Sequence, residues 1–300
     1  MANQVTDYSE LQQALRQLDG GENAEITALS RTILGKEIPV ITLGSGVRTV
    51  VYVGGICGTQ ALSTDILMQF VRDYLTSLSR RLTLFGVSME YLRDVRRICV
   101  IPMLNPDGIE YVAHGIEGQH PMRERLLLMN ATRGKDFSAW EANARGVDLR
   151  HNFEAGFFSH KEKEREQGIL NGAPAGYGGE HPESEPESAS LCRFLRLRRQ
   201  DLVGVLALQT GAGEIGCSCA DHLSAKSMAV GRSLAHLSGL RLTPLQEMEA
   251  QGELADWCIQ ELHRPAFTLR LDQQGAKSER ESTASYERLR HALFGFPLYL

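Results

Sequence analysis

The stretch Val50–Gln60, VVYVGGICGTQ, decides the reading of this chain. Val50, Val51, Tyr52 and Val53 form a continuous β-branched and aromatic run, which suits a strand covered on both faces. Gly54 and Gly55 let the backbone leave that strand sharply. From Ala61 to Tyr74, the apolar residues Leu62, Ile66, Leu67, Phe70 and Val71 recur at helical spacing. A strand, a glycine turn and a helix place Cys57 and Gln60 at the carboxyl end of a strand. Open α/β sheets build their sites on that edge.

Working outward, Tyr8–Leu18 reads as a helix ended by Gly20-Gly21. Glu25–Leu43 reads as two alternating strands joined at Gly35-Lys36, a hairpin. Arg97–Leu104 is a buried strand running into Asn105-Pro106-Asp107-Gly108, a turn signal. The run MRERLLLM (122–129) suits a short helix, and Gly146–Phe153 reads as sheet or loop. Ser159–Glu187 is polar, charged and interrupted by Gly and Pro, so it reads as a surface insertion that forms part of a binding rim. A helix over Glu187–Arg199, capped near Ser184, leads to a strand at Leu202–Leu208 and a loop, QTGAGEIG (209–216). Helices over Ser224–Leu237 and Glu253–Leu262, a strand at Ala266–Leu271 and a helix at Tyr286–Phe294 close the chain. This order implies one α/β domain over residues 1–300, a mixed sheet with helices on both faces.

With 42% hydrophobic and 23% charged residues, the composition is that of a soluble globular protein. A formal net charge of -5 gives no electrostatic reason to expect nucleic acid or a membrane surface as partner. MANQVTDYSELQQAL holds no basic or apolar leader signature, and no run approaches ~18 uninterrupted apolar residues. The six cysteines fall mostly in apolar runs, which without an export signal predicts reduced thiols and a cytoplasmic location.

Taken together, GGICGTQ, IPMLNPDGIEY, ARGVDLRHNF, SEPES, LALQTGAGEI and DWCIQELHRPAFTLR resemble the zinc carboxypeptidases of the carboxypeptidase A type. Within that family the resemblance is nearest to the bacterial branch that cuts γ-D-glutamyl–diaminopimelate bonds. It runs in order from about Tyr8 to the C-terminus. It implies a single domain with a mixed, twisted, mostly eight-stranded sheet flanked by helices. It also implies zinc held by a His-x-x-Glu turn and a later His, with a Glu on a late strand as general base.

The positions that the resemblance aligns with those groups carry other residues. Cys57 and Gln60 stand in the turn, Gln209 at the second His, and Arg270 at the general base. A thiolate binds zinc well. Amides are poor zinc ligands, and a guanidinium neither accepts a proton nor tolerates a nearby divalent cation. Arg145 aligns with the family's oxyanion-stabilising arginine, and an ordinary ion-paired arginine is the competing reading. The family's carboxylate-clamping Asn-Arg pair aligns with Arg150-His151; on an extended segment that one-residue move would turn the arginine to the opposite face. Asp148 beside it suits a backbone-orienting role. No tyrosine upstream of Asp256-Trp257 matches the family's substrate-capping one.

Cys217 and Cys219, with Asp221 and His222 beyond, could join Cys57 in a replacement metal set, although small buried cysteines in an apolar strand are the plainer reading. The other histidines show no HxH or HxxxH spacing, and SEPES (184–188) doubles as an ordinary helix start. No nucleophile elbow, phosphate loop or dinucleotide fingerprint is present. The expectation is a carboxypeptidase-like pseudoenzyme without zinc, binding an acidic peptide or peptidoglycan fragment through Arg145, Arg150, His151 and Arg270. The alternatives are hydrolysis through the set Cys57, Cys217, Cys219 and His222, or a structural partnership with an active paralogue.

Overall fold

The computed structural model describes residues 4–18, 21–116, 120–217, 224–244, 252–271 and 278–300. Helix α1 (Tyr8–Gln17) starts at Asp7, whose side chain accepts from Glu10 N. Strands β1 (Ala24–Arg31) and β2 (Glu37–Leu43) pair antiparallel, the hairpin read around Gly35-Lys36. Strand β3 (Arg48–Val53) passes through the glycine turn into α2 (Ala61–Ser79). A two-residue ribbon of β4 (Thr83–Leu84) and β5 (Val87–Ser88), then α3 (Met89–Val95), lead to β6 (Arg96–Ile101). Helices α4 (Pro106–His114), α5 (Arg123–Met129), α6 (Phe157–Glu166) and α7 (Pro186–Leu197) precede β7 (Leu202–Thr210). The chain closes with β8 (Glu214–Cys217), α8 (Ala225–Ser238), β9 (Arg241–Pro244), α9 (Leu254–Leu262), β10 (Ala266–Leu271) and α10 (Glu279–Tyr299).

Eight of these strands make one mixed sheet in the order β1-β2-β6-β3-β7-β10-β8-β9. The central four, β6, β3, β7 and β10, run parallel, so their carboxyl ends open on one edge. Every side chain from Val50 to Val53 is 0% exposed, which only a strand covered on both faces achieves. Each such side chain contributes roughly 1.5–3 kcal/mol by burial. Tyr52 packs edge-on to Phe70 of α2, and its hydroxyl donates to Leu293 O of α10 at 2.6 Å. Leaving that hydroxyl unpaired in such a core would be costly, so the bond fixes α10 against β3. A second, smaller core of Tyr111, Leu126, Phe137 and Trp140 supports the loop that follows.

Three expectations change. Asn105-Pro106-Asp107-Gly108 opens α4 rather than a turn. Asn105 Oδ1 accepts from Gly108 N at 2.9 Å, and Pro106 occupies the first helical turn, where a missing N–H costs nothing. The 209–216 segment is only partly loop, because β7 reaches Thr210 and β8 begins at Glu214. The 159–187 segment does not lie on the surface throughout. Its His160, Glu164, Glu185 and Glu187 are at most 5% exposed, packed by polar rather than apolar contacts. A hydrophobicity pattern does not register that kind of burial. Among the described residues, no helix is long and apolar enough to cross a membrane.

Candidate functional site

The turn after β3 is clamped from two sides. Gly55 has φ +57°, and a Cβ there would lie 2.7 Å from Thr64 Oγ1 and 2.8 Å from Met103 Cα, so only glycine fits. Leu104 N and Asn105 N donate to the carbonyls of Gly54 and Gly55 at 3.0 and 2.8 Å. Gly58 N donates to Glu141 O at 3.0 Å, and a Cβ on Gly58 would meet Trp140 O at 2.3 Å. The α4 start and the Trp140 loop thus fix where Cys57 and Gln60 stand.

Both residues are turned inward. Cys57 is 0% exposed, and its Sγ donates to Asp148 Oδ1 at 3.8 Å. Burial pushes its thiol well above the ordinary range, with Arg150 opposing. The Gln60 side-chain oxygen accepts from Cys57 N at 3.3 Å, closing the turn on itself.

Asp148 is the hub of this half. It is fully buried and accepts from Gly176 N at 3.0 Å, Arg150 N at 3.1 Å, Arg150 Nε at 3.0 Å and Arg150 Nη2 at 2.7 Å. Burial raises its carboxyl, and the N–H donors pull the other way. Arg150 also pairs with Glu141. His151 stacks on His160 with ring centroids 3.8 Å apart and stands 3.9 Å from Asp148. Residues Leu149–His151 form a 3-10 turn, so the alternation argument for an extended segment does not apply to Arg150. Asp148 does orient backbone, as its position suggests, and it also holds Arg150.

The other half is built on the sheet. Arg270 of β10 is in register with Gln209 of β7 on one side and Glu214 of β8 on the other. Its Nη2 donates to Glu253 Oε1 at 2.7 Å and its Nη1 to Glu214 Oε1 at 3.4 Å. Two glycines make the room. A Cβ on Gly216 would lie 2.5 Å from Arg270 Nη1, and one on Gly211 would lie 2.8 Å from Arg270 Cβ. Glu253 is the N-cap of α9 but makes no capping bond, its carboxylate being spent on Arg270 instead. Burial works against the charge on Arg270, but the two carboxylates outweigh it and hold the guanidinium above its ordinary value. Gln209 is 4% exposed beside it.

Arg145 belongs to a third cluster. Its Nε and Nη2 form a fork on Glu185 at 3.1 and 2.7 Å, and Asn143 Nδ2 donates to the same carboxylate at 2.8 Å. Glu187, next in the cluster, is pushed up to about 8 by burial and by the nearby Glu185 and Asp107 carboxylates.

The fold therefore gathers Cys57, Gln60, Arg150 and His151 around Asp148, and Gln209 with Arg270 on the sheet. Val53 of β3 pairs with Ala207 of β7, so the turn that carries Cys57 and the strand end that carries Gln209 leave the sheet on the same edge. Sequence reading missed Glu141, Glu214 and Glu253. Each resembles an ordinary surface or cap carboxylate until the fold sets it opposite an arginine: Glu214 by strand register, Glu253 by the placement of α9 and Glu141 by its loop. Cys219, Asp221 and His222 lie outside the described residues, as does the Cys217 side chain. Among the described residues, one trio, Asp7, Glu110 and His114, brings three ligand-type atoms within 4.8 Å of one another; the Cys57 turn belongs to no such group.

Residues 12–287 match the family model described as "Zinc carboxypeptidase". The chain is 30% identical over 267 residues to a gamma-D-glutamyl-L-diamino acid endopeptidase 1 of Lysinibacillus sphaericus, covering 89% of this chain and 64% of that protein. It is 26% identical over 245 residues to an uncharacterized protein, YqgT, of Bacillus subtilis, covering 81% of this chain and 63% of the relative. The chain thus spans under two thirds of the length of these relatives. By fold it matches bovine thrombin-activatable fibrinolysis inhibitor in complex with tick carboxypeptidase inhibitor, with TM-score 0.71, 16% identity and coverage of 97% and 94%. It also matches murein-tripeptide amidase MpaA of Escherichia coli O157, with TM-score 0.50, 21% identity and coverage of 88% and 91%. With the eight-stranded mixed sheet and the match over nearly its whole length, the chain belongs to the zinc carboxypeptidase family.

Proposed function

We propose that this chain is a binding protein on a peptidase scaffold, one that holds an acidic peptide or peptidoglycan-type fragment without cutting it through zinc. The observation carrying this reading is the Glu253–Arg270–Glu214 bracket: a guanidinium built into a glycine cradle at the position aligned with the general base. A guanidinium held between two carboxylates offers no lone pair to a metal or to a water proton. The donors aligned with the zinc ligands fit no better. Burial disfavours the Cys57 thiolate, and the Gln60 oxygen is already engaged by the Cys57 amide. Gln209 offers another amide, which is a weak ligand for zinc.

Arg150 and Arg145, whose side chains are 25% and 36% exposed, are the groups that a ligand carboxylate would reach. Each already carries a carboxylate of the chain, so a ligand binds there by sharing or exchanging a fork. The name of the Lysinibacillus relative motivates γ-D-glutamyl peptides as the probe. Four buried, unbonded thiols among the described residues support a reducing, cytoplasmic setting.

The test joins two measurements on purified protein. Elemental analysis after incubation with excess zinc should find well below one zinc per chain. Calorimetric titration with a γ-D-Glu-containing peptide should give saturable heat that Arg150→Ala reduces. One tightly held zinc at the Cys57 turn, lost in Cys57→Ser, or peptide turnover would overturn the non-catalytic half. Absence of heat would overturn the binding half.

A further inference from the structure

A cavity of about 560 Å³ lies at the end of the sheet opposite Cys57, where β3, β7 and β10 begin. Its lining is strongly basic in a chain of net charge -5. Arg48, Lys226 and Arg264 line it together with His263, Ser224 and Asp201. These three cations differ from the arginines of the other end. Arg145, Arg150 and Arg270 each face carboxylates. Among the described residues, Arg48, Lys226 and Arg264 make no ion pair with a side-chain carboxylate.

Arg264 Nη2 donates to Arg199 O at 2.8 Å, which aims the guanidinium, while its Nε is buried with no partner at all. A buried N–H without an acceptor costs about 1–3 kcal/mol; this atom is sealed from the cavity, so a ligand there meets the outer part of the Arg264 side chain rather than Nε. Asp201 does not supply that acceptor, because it is held by Thr49 Oγ1 at 2.6 Å and faces Arg97 at 3.9 Å. Lys226 Nζ reaches Leu300 O at 3.4 Å. Even with Lys226 set aside, two arginines outweigh one carboxylate in the lining. Ser224 caps α8, whose first N–H groups lie at the same wall and add to the positive potential.

We propose that this basal cavity is a second ligand site, for a small molecule carrying a phosphate group. Two arginines and a lysine lining one cavity suit a doubly charged tetrahedral oxyanion better than a single carboxylate. The volume falls within the range of small-molecule sites and exceeds what a bare anion fills. The site is independent of the Cys57 and Arg270 region, and nothing about its occupancy depends on hydrolysis.

Inorganic phosphate is the probe. Thermal unfolding and calorimetric titration of the full chain are followed against phosphate at constant ionic strength, with acetate as the carboxylate control. The expected result is a saturable rise in Tm and saturable heat with phosphate, absent with acetate. Arg48→Glu and Lys226→Glu change exposed side chains, so both variants should fold. Each should weaken phosphate binding at least about tenfold, the equivalent of one lost charged hydrogen bond. Arg270→Met should lower the starting Tm but leave the phosphate affinity read by calorimetry unchanged, which separates this site from the one at the other end of the sheet. No response to phosphate, an equal response to acetate, or an undiminished response in both Arg48→Glu and Lys226→Glu would each overturn the proposal.

Discussion

Arg270 Nη2 and Glu253 Oε1 stand 2.7 Å apart, joining the end of β10 to the start of α9, and both side chains are 15% exposed. The pair fixes the start of α9 over the edge of the sheet at β10. Glu253 gives up helix capping to make it, and two glycines are committed to accommodating its partner. Through Glu253 and Glu214, the Arg270 guanidinium is a point of attachment that ties β10 to α9 and β8.

Replacing Arg270 with Met should therefore destabilise the protein. Glu253 would lose its guanidinium, and Glu214 would keep only the exposed Arg241 at 3.8 Å, in a site that is mostly out of water. Removing one member of a largely buried ion pair costs about 2–4 kcal/mol after allowance for the remaining exposure. Urea unfolding at neutral pH measures it. A loss below about 0.5 kcal/mol would mean that the bracket carries no stability.

Much of the fold was legible because its signals are local and apolar. The run Val50–Val53 announces a strand buried on both faces, and the alternation around Gly35-Lys36 announces a hairpin. Asn105-Pro106-Asp107-Gly108 was ambiguous, since the same residues make a turn or cap a helix, and only the pairing of Asn105 with Gly108 decides. At the site, the unusual residues Cys57, Gln60, Gln209 and Arg270 were visible by position along the chain. Their partners were not. Arg270 meets Glu253 and Glu214 through strand register and the placement of α9, which no spacing in the sequence encodes. Likewise Arg150 is turned onto Asp148 by a 3-10 turn where an extended segment was expected.

Cys57 should behave as an inert thiol. Burial and the neighbouring Asp148 raise it, and the thiolate is the reactive form. Native protein treated with iodoacetamide at pH 8 should leave Cys57 unmodified, whereas unfolded protein should label fully, as read by peptide mass spectrometry. Rapid native labelling would show that the turn opens readily. Cys57→Ser should keep the fold within about 1 kcal/mol, since a hydroxyl can donate to Asp148 in place of the thiol.

Glu187 gives the protein a pH dependence of defined sign. Its folded value is raised from 4.5 to about 8, so the native state favours the neutral carboxyl more than the unfolded chain does. Between those values the native state binds more protons, and stability falls as pH rises. The contribution is complete below 4.5 and is lost by the time pH passes about 8. The charges around it are Glu185 and Asp107 on the repelling side, with Arg145 on Glu185 and Lys36 on Asp107. The total effect is of order 2–4 kcal/mol for so buried a group. Glu187→Gln should flatten the decline between pH 5 and 8 in denaturant titrations. An unchanged slope would assign the pH dependence to other groups.

Arg145 offers the sharpest separation of a structural role from a ligand-binding one. Its fork on Glu185 satisfies a carboxylate that is itself 0% exposed, so Arg145→Ala leaves a buried charge with only Asn143 and Ser184 as donors. That change should cost about 2–4 kcal/mol, and Glu185→Gln in the same background should restore part of it. A double-mutant cycle across the two positions should give a coupling of about 1–3 kcal/mol. If Arg145 served only an incoming ligand, Arg145→Ala would leave urea unfolding unchanged and reduce peptide binding alone. If it served both, the Arg145→Ala, Glu185→Gln double variant would recover stability without recovering binding, because the amide satisfies the fold but no guanidinium remains for a ligand carboxylate.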